Sequence, residues 1–205
     1  MIDEIARLLD ERAGRENLPL PEALRDRLLA YYALLERWNQ KINLTSLTDP
    51  AKAVDRLLLE PIAAAQHLPA GSRLADLGSG GGSPAIPLAL ALGSAHLLMV
   101  ESRARKAAFL REAARTVELT ATVEAVRFEE LRRATAYEGT ADVVTMRAVR
   151  PDTSTLELAR WLAVHGGKVA FFTSTPSALP WQGQRSTWNI GASAMLVMFH
   201  VEHTQ

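Results

Sequence analysis

Apolar residues near the start of the chain recur at the spacing of amphipathic helices. Ile2, Ile5 and Leu9 fall on one face of a first helix, which the stretch at residues 18–21 ends. Pro21 suits the first turn of a second helix, where its missing N–H is not needed. One apolar stripe marks that second helix, made of Leu24, Leu28, Tyr31, Leu35 and Trp38. The stripe is expected to face the core, with Trp38 packed inside.

A polar connector at residues 39–49 precedes a third predicted helix. Thr48 or Asp49 can cap it, and Pro50 can occupy its first turn. We expect it to run to about residue 67. The N-terminal part of the chain, residues 1–68, is therefore predicted to be a helical region.

From Gly71 onward, short apolar runs alternate with helical patterns. The predicted strands are residues 73–77, 96–101, 122–126, 142–146, 168–173 and 194–201. The predicted helices between them are residues 84–92, 103–116, 129–133 and 153–165, and residues 173–185 are rich in turn-forming residues. This alternation is typical of an α/β fold with a mostly parallel sheet, and it predicts a Rossmann-like domain at residues 69–205.

Composition narrows the class of protein. The chain has 205 residues, 23 basic and 23 acidic side chains, and no cysteine, so disulfides and thiolate metal sites are excluded. No apolar run is long enough to span a membrane, and we expect a monomeric cytoplasmic protein that makes no membrane contact. The closest histidines, His200 and His203, lie at the C-terminal end, where a frayed terminus is expected and a metal site is not.

A glycine-rich turn after the first strand is the strongest sign of a ligand site. Asp76 ends the strand, and Gly78, Ser79, Gly80 and Gly82 follow before the next helix. Glycines there allow positive φ angles and close approach of a ligand to the backbone. The second predicted strand ends in another acid, Glu101.

Two cofactor classes fit this turn. Gly80, Gly82 and Ala85 satisfy the dinucleotide pattern G-x-G-x-x-A, with Glu101 placed as the ribose acid. The fuller pattern D-x-G-x-G-x-G resembles motif I of class I methyltransferases, whose cofactor is S-adenosylmethionine. Carboxylates suit an ammonium group and paired ribose hydroxyls better than a pyrophosphate, which favours the methyltransferase.

Longer stretches resemble one family, the bacterial small-subunit ribosomal RNA methyltransferase G, also called glucose-inhibited division protein B. Trp38-Asn39-Gln-Lys-Ile-Asn43-Leu44-Thr45 is similar to its W-N-x-x-x-N-L-T signature. Pro84 and Pro87 after the glycines, the segment that begins Glu101-Ser-Arg103, and Arg147-Ala148 also match, and the resemblance covers about residues 22–172.

The resemblance implies a class I methyltransferase fold with a seven-stranded, mostly parallel sheet and an N-terminal helical cap. It implies methylation of N7 of a guanine in 16S ribosomal RNA, presented as naked RNA or as a small-subunit particle. Guanine N7 has a free lone pair, so no catalytic base is expected. The cofactor-binding residues it implies are Asp76, Gly78, Ser79, Gly80, Gly82, Glu101, Phe128, Glu129 and Arg147.

RNA contacts are assigned to Arg147, Lys41 and Arg56 as candidates. The chain departs from the family pattern in two places: Phe171-Phe172-Thr173-Ser174 stands where many members have Leu-Lys-Gly, and Leu57 replaces a histidine. A small-molecule methyltransferase, a cofactor-binding protein with reduced or lost catalysis, and a nucleotide-dependent oxidoreductase therefore remain alternatives. A basic patch from Arg147 to Arg103 and Arg105 would favour RNA, and an enclosed apolar pocket would favour a small substrate.

Overall fold

The N-terminal region is helical. In a computed structural model, which describes residues 2–181 and 184–202, its helices are α1 (Ile2–Arg15), α2 (Glu22–Asn39), α3 (Pro50–Val54) and α4 (Glu60–Ala65). A π-helical turn at Asp55–Leu59 joins α3 to α4, so the predicted third helix contains a turn whose backbone hydrogen bonds span five residues instead of four. Asp49 caps it as predicted, because its side chain accepts a hydrogen bond from the backbone N–H of Lys52.

Strands and helices alternate in the rest of the chain, as expected. The elements are β1 (Arg73–Leu77), α5 (Ala85–Leu92), β2 (His96–Val100), α6 (Ala104–Thr116), β3 (Ala121–Glu124), α7 (Phe128–Leu131), β4 (Ala141–Arg147), α8 (Thr153–Leu162), β5 (Ala163–Thr173), β6 (Arg185–Asn189) and β7 (Met195–His200). Single 3₁₀ turns at Thr135–Tyr137 and Pro176–Ala178 complete the described elements.

The seven strands form one sheet in the order β3-β2-β1-β4-β5-β7-β6. The pairs β1–β2, β1–β4, β2–β3 and β4–β5 are parallel, and β7 runs antiparallel to both of its neighbours. Chain order reverses direction at β1, so the carboxyl ends of β1 and β4 border the crevice where ligands bind in such sheets. The predicted mostly parallel sheet is confirmed.

Two predictions about the last third of the chain were wrong. The helix expected to reach residue 165 ends at Leu162, because Ala163 pairs with Ala141 and a register shift then carries β5 forward to residue 168. The turn-rich stretch was expected to lead into a single final strand, but β6 forms beside β7. Its residues alternate between exposed and half-buried, so β6 has little of the apolar character that marks a buried strand.

The N-terminal helices pack on the sheet domain within one continuous core. Leu28 and Tyr31 of α2 belong to the same buried cluster as Leu110 of α6 and Met99 of β2. The boundary predicted at residue 68 falls between α4 and β1. Because the buried core extends across this boundary, the division into two domains stays a prediction. No helix among the described residues is both long and apolar enough to cross a membrane.

Candidate functional site

The glycine-rich turn leaves β1 at the centre of the sheet and holds three residues in left-handed backbone conformations. Gly78, Gly80 and Gly82 have φ angles of 75°, 53° and 85°. Such angles are strained for residues with a Cβ atom, which explains the glycines locally.

At two of these positions, close packing is a second reason why only glycine fits. A Cβ on Gly78 would lie 2.6 Å from a methyl of Val149, in the loop after β4. A Cβ on Gly82 would lie 2.8 Å from Ile86 and 3.3 Å from the ring of Tyr31. Gly78 therefore lets the β4 loop approach, whereas Gly82 lets α2 and α5 close over the turn.

A cavity of about 620 Å³ opens above this turn. Its size is within the usual range for a small-molecule or cofactor site. It is lined by Gly78, Ser79, Gly80, Gly81, Ser83, Val100, Glu101, Ser102, Arg103, Lys106, Arg127, Phe128, Glu129, Arg147, Ala148 and Val149. Seven of the nine predicted cofactor-binding residues are in this set; Asp76 and Gly82 lie behind it.

Glu101 faces the cavity from the end of β2 and is 8% exposed. One carboxylate oxygen accepts a hydrogen bond from the N–H of Gly80 at 3.0 Å, and the other accepts one from the N–H of Arg103 at 2.8 Å. A carboxylate offers about four lone-pair positions, so each oxygen can accept a further hydroxyl. The two backbone donors fix the carboxylate in place without using up its capacity.

Asp76 is buried beneath the turn, with 1% of its surface exposed. It accepts a hydrogen bond from the hydroxyl of Thr145 at 2.6 Å, and burial raises the pKa of its carboxyl group. Thr145 lies on β4, the neighbouring strand. The contact joins β1 to β4 under the cavity floor, and a direct contact between Asp76 and a cofactor stays a prediction.

The two acids of α7 have different roles. Glu130 caps its own helix, because its side chain accepts from the N–H of Arg127 at 3.3 Å. Glu129 is exposed and lines the cavity beside the half-buried ring of Phe128. Glu129 is therefore the acid of this pair that can meet a ligand.

Arg147 lines the cavity from the end of β4, but its side chain is only 8% exposed. It donates to a carboxylate oxygen of Glu60 at 2.9 Å and to the backbone carbonyl of Arg56 at 2.6 Å. Burial lowers the pKa of Arg147 to about 10 despite the nearby Glu60 carboxylate, so Arg147 stays charged at neutral pH. The guanidinium also lies 4.8 Å from the ring centroid of Phe172.

The other RNA candidates lie outside the cavity lining. Lys41 is exposed and borders a separate surface groove with Arg37, Trp38 and Glu112. The Arg56 side chain is 44% exposed and lies 3.8 Å from Glu60, while the backbone carbonyl of Arg56 accepts a hydrogen bond from Arg147. Arg56 thus takes part in the site through its backbone.

The W-N-x-x-x-N-L-T stretch supports the glycine turn, a role that sequence reasoning missed. Asn39 accepts hydrogen bonds from the N–H groups of Leu44 and Thr45, which folds the loop after α2. The folded loop brings the Leu44 carbonyl within 3.1 Å of where a Cβ on Gly81 would stand. The hydroxyl of Tyr31 donates to the carbonyl of Gly81. The apolar stripe of α2 predicted that Tyr31 is buried, but not what it supports.

Three cations at the cavity have no acidic partner. Arg103, Lys106 and Arg127 line it, and none of them forms a salt bridge within the described chain. Arg103 and Arg127 are exposed, as is Arg105 nearby in sequence. Arg147 lines the same cavity but is buried and paired with Glu60, so a continuous basic patch from Arg147 to Arg103 and Arg105 stays a prediction.

A metal site is not evident in the part of the chain that the structure describes, since no group of three or more possible ligand side chains is suitably placed. His203, the second histidine of the C-terminal pair, lies outside the described residues.

Solved structures of methyltransferases share this fold. An O-methyltransferase from Bacillus cereus in complex with SAH superposes with a TM-score of 0.58 at 15% identity, covering 98% of this chain and 100% of that one. A T. thermophilus 16S rRNA methyltransferase in complex with AdoMet and guanosine gives a TM-score of 0.56 at 18% identity, covering 78% of this chain and 44% of that one. These matches show that the chain has the fold of S-adenosylmethionine-dependent methyltransferases, as expected.

Several sequence relatives carry the name ribosomal RNA small subunit methyltransferase G. The relative from Gluconobacter oxydans is 38% identical over 168 residues, which are 82% of this chain and 84% of the relative. The relative from Xylella fastidiosa is 45% identical over 130 residues, so the match spans 63% of this chain and only 61% of that protein. A family model described as rRNA small subunit methyltransferase G matches residues 25–201. The chain belongs to the rRNA small subunit methyltransferase G family.

Proposed function

We propose that this chain transfers the methyl group of S-adenosylmethionine to N7 of a guanine in 16S ribosomal RNA. The observation that carries the proposal is the cavity above the glycine turn, which combines a fixed carboxylate, Glu101, with unpaired cations at its edge. Family membership supports the same activity. The proposal includes action as a monomer in the cytoplasm, where ribosomal RNA or a small-subunit particle is the partner.

The cavity fits a nucleoside-type cofactor. Glu101 offers two oxygens toward vicinal hydroxyls, and the ring of Phe128 with Val149 provides apolar walls for a base. The backbone at Gly80 leaves room for a ligand, because only the Gly78 carbonyl oxygen, at 3.8 Å, lies near the position of a Cβ there. When bound, S-adenosylmethionine supplies a methyl group on a positively charged sulfur. Glu129 at the rim is the second acid that can accept a hydrogen bond from the adenine side.

The edge of the cavity favours RNA over a small molecule. Arg103 and Arg127 are exposed and Lys106 is half-buried, and all three lack acidic partners in the described chain. Phosphate contacts with Arg and Lys dominate the affinity of proteins for nucleic acids. A small apolar substrate would have no use for such an edge. Arg147 lies deeper and is the residue we assign to the target guanine.

Proton transfer is not required of the protein. Guanine N7 has a lone pair and no proton, so the chain has to align the base and to exclude competing positions. The cavity lining within the described residues contains no histidine, and its acids, Glu101 and Glu129, are already assigned to the cofactor. We therefore expect the rate at saturating substrates to be flat from about pH 6 to 9, without the limb that a general base imposes.

The test combines binding, transfer and mapping. Calorimetry with S-adenosylhomocysteine and with NAD identifies the cofactor class. Transfer of labelled methyl groups is then measured on naked 16S rRNA and on small-subunit particles from cells that lack the protein, and the modified base is mapped. We expect S-adenosylhomocysteine to bind, NAD not to bind, and one guanine to be methylated at N7.

Three results would contradict the proposal. NAD binding without S-adenosylhomocysteine binding would identify an oxidoreductase. Cofactor binding without transfer to either RNA substrate would identify a protein with lost catalysis or with a small-molecule substrate. A rate that falls with an ionisation near neutral pH, in step with chemistry, would exclude N7 as the nucleophile.

A further inference from the structure

A buried ion pair joins the N-terminal helices to the end of β4. The side chains of Arg147 and Glu60 are 8% and 7% exposed, and their closest atoms are 2.9 Å apart. The two residues are separated by 87 positions in sequence. Removing one partner of such a pair leaves an uncompensated buried charge, which is strongly destabilising. The ion pair therefore depends on the docking of α4 against β4.

Every further contact of Arg147 restricts its guanidinium. Nη1 donates to the carbonyl of Arg56 and, at 3.3 Å, to the hydroxyl of Ser83 on the glycine-turn side. Phe172 lies under the guanidinium. The Nε–H is buried and has no hydrogen-bond partner in the described structure. An orphaned buried donor is rare in native proteins, and in a residue that lines a cavity it is a group that a ligand can satisfy.

Glu60 is itself held on several sides. It lies at the start of α4, directly after the π-helical turn, and the Arg56 guanidinium approaches its other oxygen at 3.8 Å. Gly191, after β6, packs against the same side chain so closely that a Cβ there would lie 3.1 Å from Cγ of Glu60. A longer side chain at Gly191 would push the carboxylate away. Glu60 is thus placed by residues from both ends of the chain.

We propose that Glu60 is a positioning residue for methyl transfer, which acts by fixing the guanidinium of Arg147 in the one orientation that meets the target guanine. This inference rests on the proposed function, because it concerns the same cavity. It gives the N-terminal helices a part in the reaction: they supply the carboxylate and the Arg56 carbonyl that orient a residue of the sheet domain. The ring of Phe172, whose centroid lies 4.8 Å from the guanidinium carbon, completes the support under the guanidinium.

The experiment compares Glu60→Gln with a matched control, Asp55→Asn. Asp55 belongs to the same π-helical turn and forms a salt bridge with Arg12 of α1, but it makes no described contact with Arg147. For each full-length variant, affinity for S-adenosylhomocysteine, KM for 16S rRNA and single-turnover transfer are measured. Glu60→Gln should keep cofactor affinity and KM within about twofold, because phosphate contacts dominate RNA affinity. Its transfer rate should fall by up to about a hundredfold, the loss that a misplacement of about 1 Å can cause. Asp55→Asn should transfer at the wild-type rate.

A double variant separates positioning from a structural role. In the Arg147→Lys background, Glu60→Gln should add little further loss of transfer, since both changes act through one guanidinium. If Glu60→Gln does not fold, Glu60→Asp replaces it. The shorter side chain keeps the carboxylate but moves it away from Arg147, and the same comparison applies. A wild-type chain that binds S-adenosylhomocysteine yet methylates no RNA would overturn the proposed function and this inference with it. Two results with an active wild type would overturn this inference alone. In the first, the Glu60 variant transfers as well as Asp55→Asn. In the second, adding the Glu60 change to Arg147→Lys lowers the transfer rate by the full factor seen in the wild-type background.

Discussion

The two sides of the cavity are built in different ways. On the β1–β2 side, the groups that face a ligand are the backbone of the glycine turn and Glu101, whose carboxylate is fixed by neighbouring N–H groups. On the β4–β5 side, the main group is Arg147, whose partners Glu60 and Arg56 come from the N-terminal helices. The first side is assembled from two adjacent strands and the turn that follows β1. The second depends on tertiary docking.

This difference separates binding from alignment. A cofactor site that rests on adjacent backbone keeps its shape as long as the sheet is folded. A substrate group that rests on long-range contacts can be misaligned by changes far away in sequence. Variants on the first side should therefore affect cofactor affinity, and variants on the second side should affect transfer.

The largest effect is expected for Gly80→Val. Gly80 has a φ angle of 53°, which a β-branched residue cannot adopt without strain, and its N–H holds Glu101. Binding of S-adenosylhomocysteine should become undetectable by calorimetry. Gly93→Val is the control, because Gly93 has a similar φ of 58° at the end of α5 and open space around it. Equal loss of binding in both variants would show that strain alone, and not the site, is responsible.

Arg147→Ala should affect the second side selectively. We expect transfer to RNA to fall about a hundredfold, as for a misaligned substrate, with cofactor affinity nearly unchanged. Thermal unfolding should show a cost of about 3–5 kcal/mol, because the buried Glu60 loses its close partner and keeps only the Arg56 guanidinium at 3.8 Å. Single-turnover transfer is measured at a temperature where circular dichroism shows the variant to be folded. A loss of cofactor affinity as large as the loss of transfer would show that binding and alignment are not separated between the two sides of the cavity.

Glu101→Ala should lower the affinity for the cofactor and leave the affinity for RNA unchanged. Loss of a hydrogen bond to a charged group costs about 1.5–3 kcal/mol, or roughly tenfold to hundredfold in affinity. Glu101→Gln should fail as well, because its amide nitrogen would face one of the two backbone N–H donors now bound by the carboxylate. Calorimetry of both variants checks this. Full rescue by Gln would mean that the charge and the double acceptor are not needed.

The unpaired cations at the cavity edge should have a modest, salt-dependent effect. Each phosphate contact contributes about 0.7 to the log–log salt slope on single-stranded RNA, so Arg103→Gln with Arg127→Gln should make the slope shallower by about 1.4. Arg7→Gln on α1, whose guanidinium is already paired with Glu11, should leave it unchanged. Filter binding from low to high salt gives the slopes. A wild-type slope steeper than about −7 would reveal a much larger basic surface.

The smallest effect concerns Asp76 and pH. Burial raises the pKa of Asp76, so the folded protein holds this proton more tightly than the unfolded chain does. Its contribution to stability is then full below the unfolded pKa of about 3.9 and is lost as the pH rises through the folded pKa. Relative to wild type, Asp76→Asn should therefore gain stability as the pH increases. Urea unfolding from about pH 4 to 8 measures the difference. A constant difference across that range would contradict the shift.

Prediction from sequence succeeded where the signal is local. The glycines and the acids that end β1 and β2 lie within one β-α-β unit, so their spacing alone placed Glu101 and Gly80 at one site. The ion pair of Arg147 with Glu60 was not predicted as such, because the two residues are 87 positions apart and no periodicity links them. The role of Asn39 was hidden for a similar reason: its loop is local, but the glycine turn that the loop supports is not. The strand β6 was missed because its alternation is between exposed and half-buried residues.

The docking of α2 has a consequence for how the chain is made. Arg27 of α2 donates to the carbonyl of Val117, which lies 90 residues later and just beyond α6. Ribosomes add about 5–20 residues per second, so α2 emerges on the order of ten seconds before its partner exists. During that interval α1 can already pack on α2, but the part of the apolar stripe that packs on α6 has no partner from that helix. Gly82 lies against both Tyr31 of α2 and Leu110 of α6, so the packing around the glycine turn is complete only after translation has passed α6.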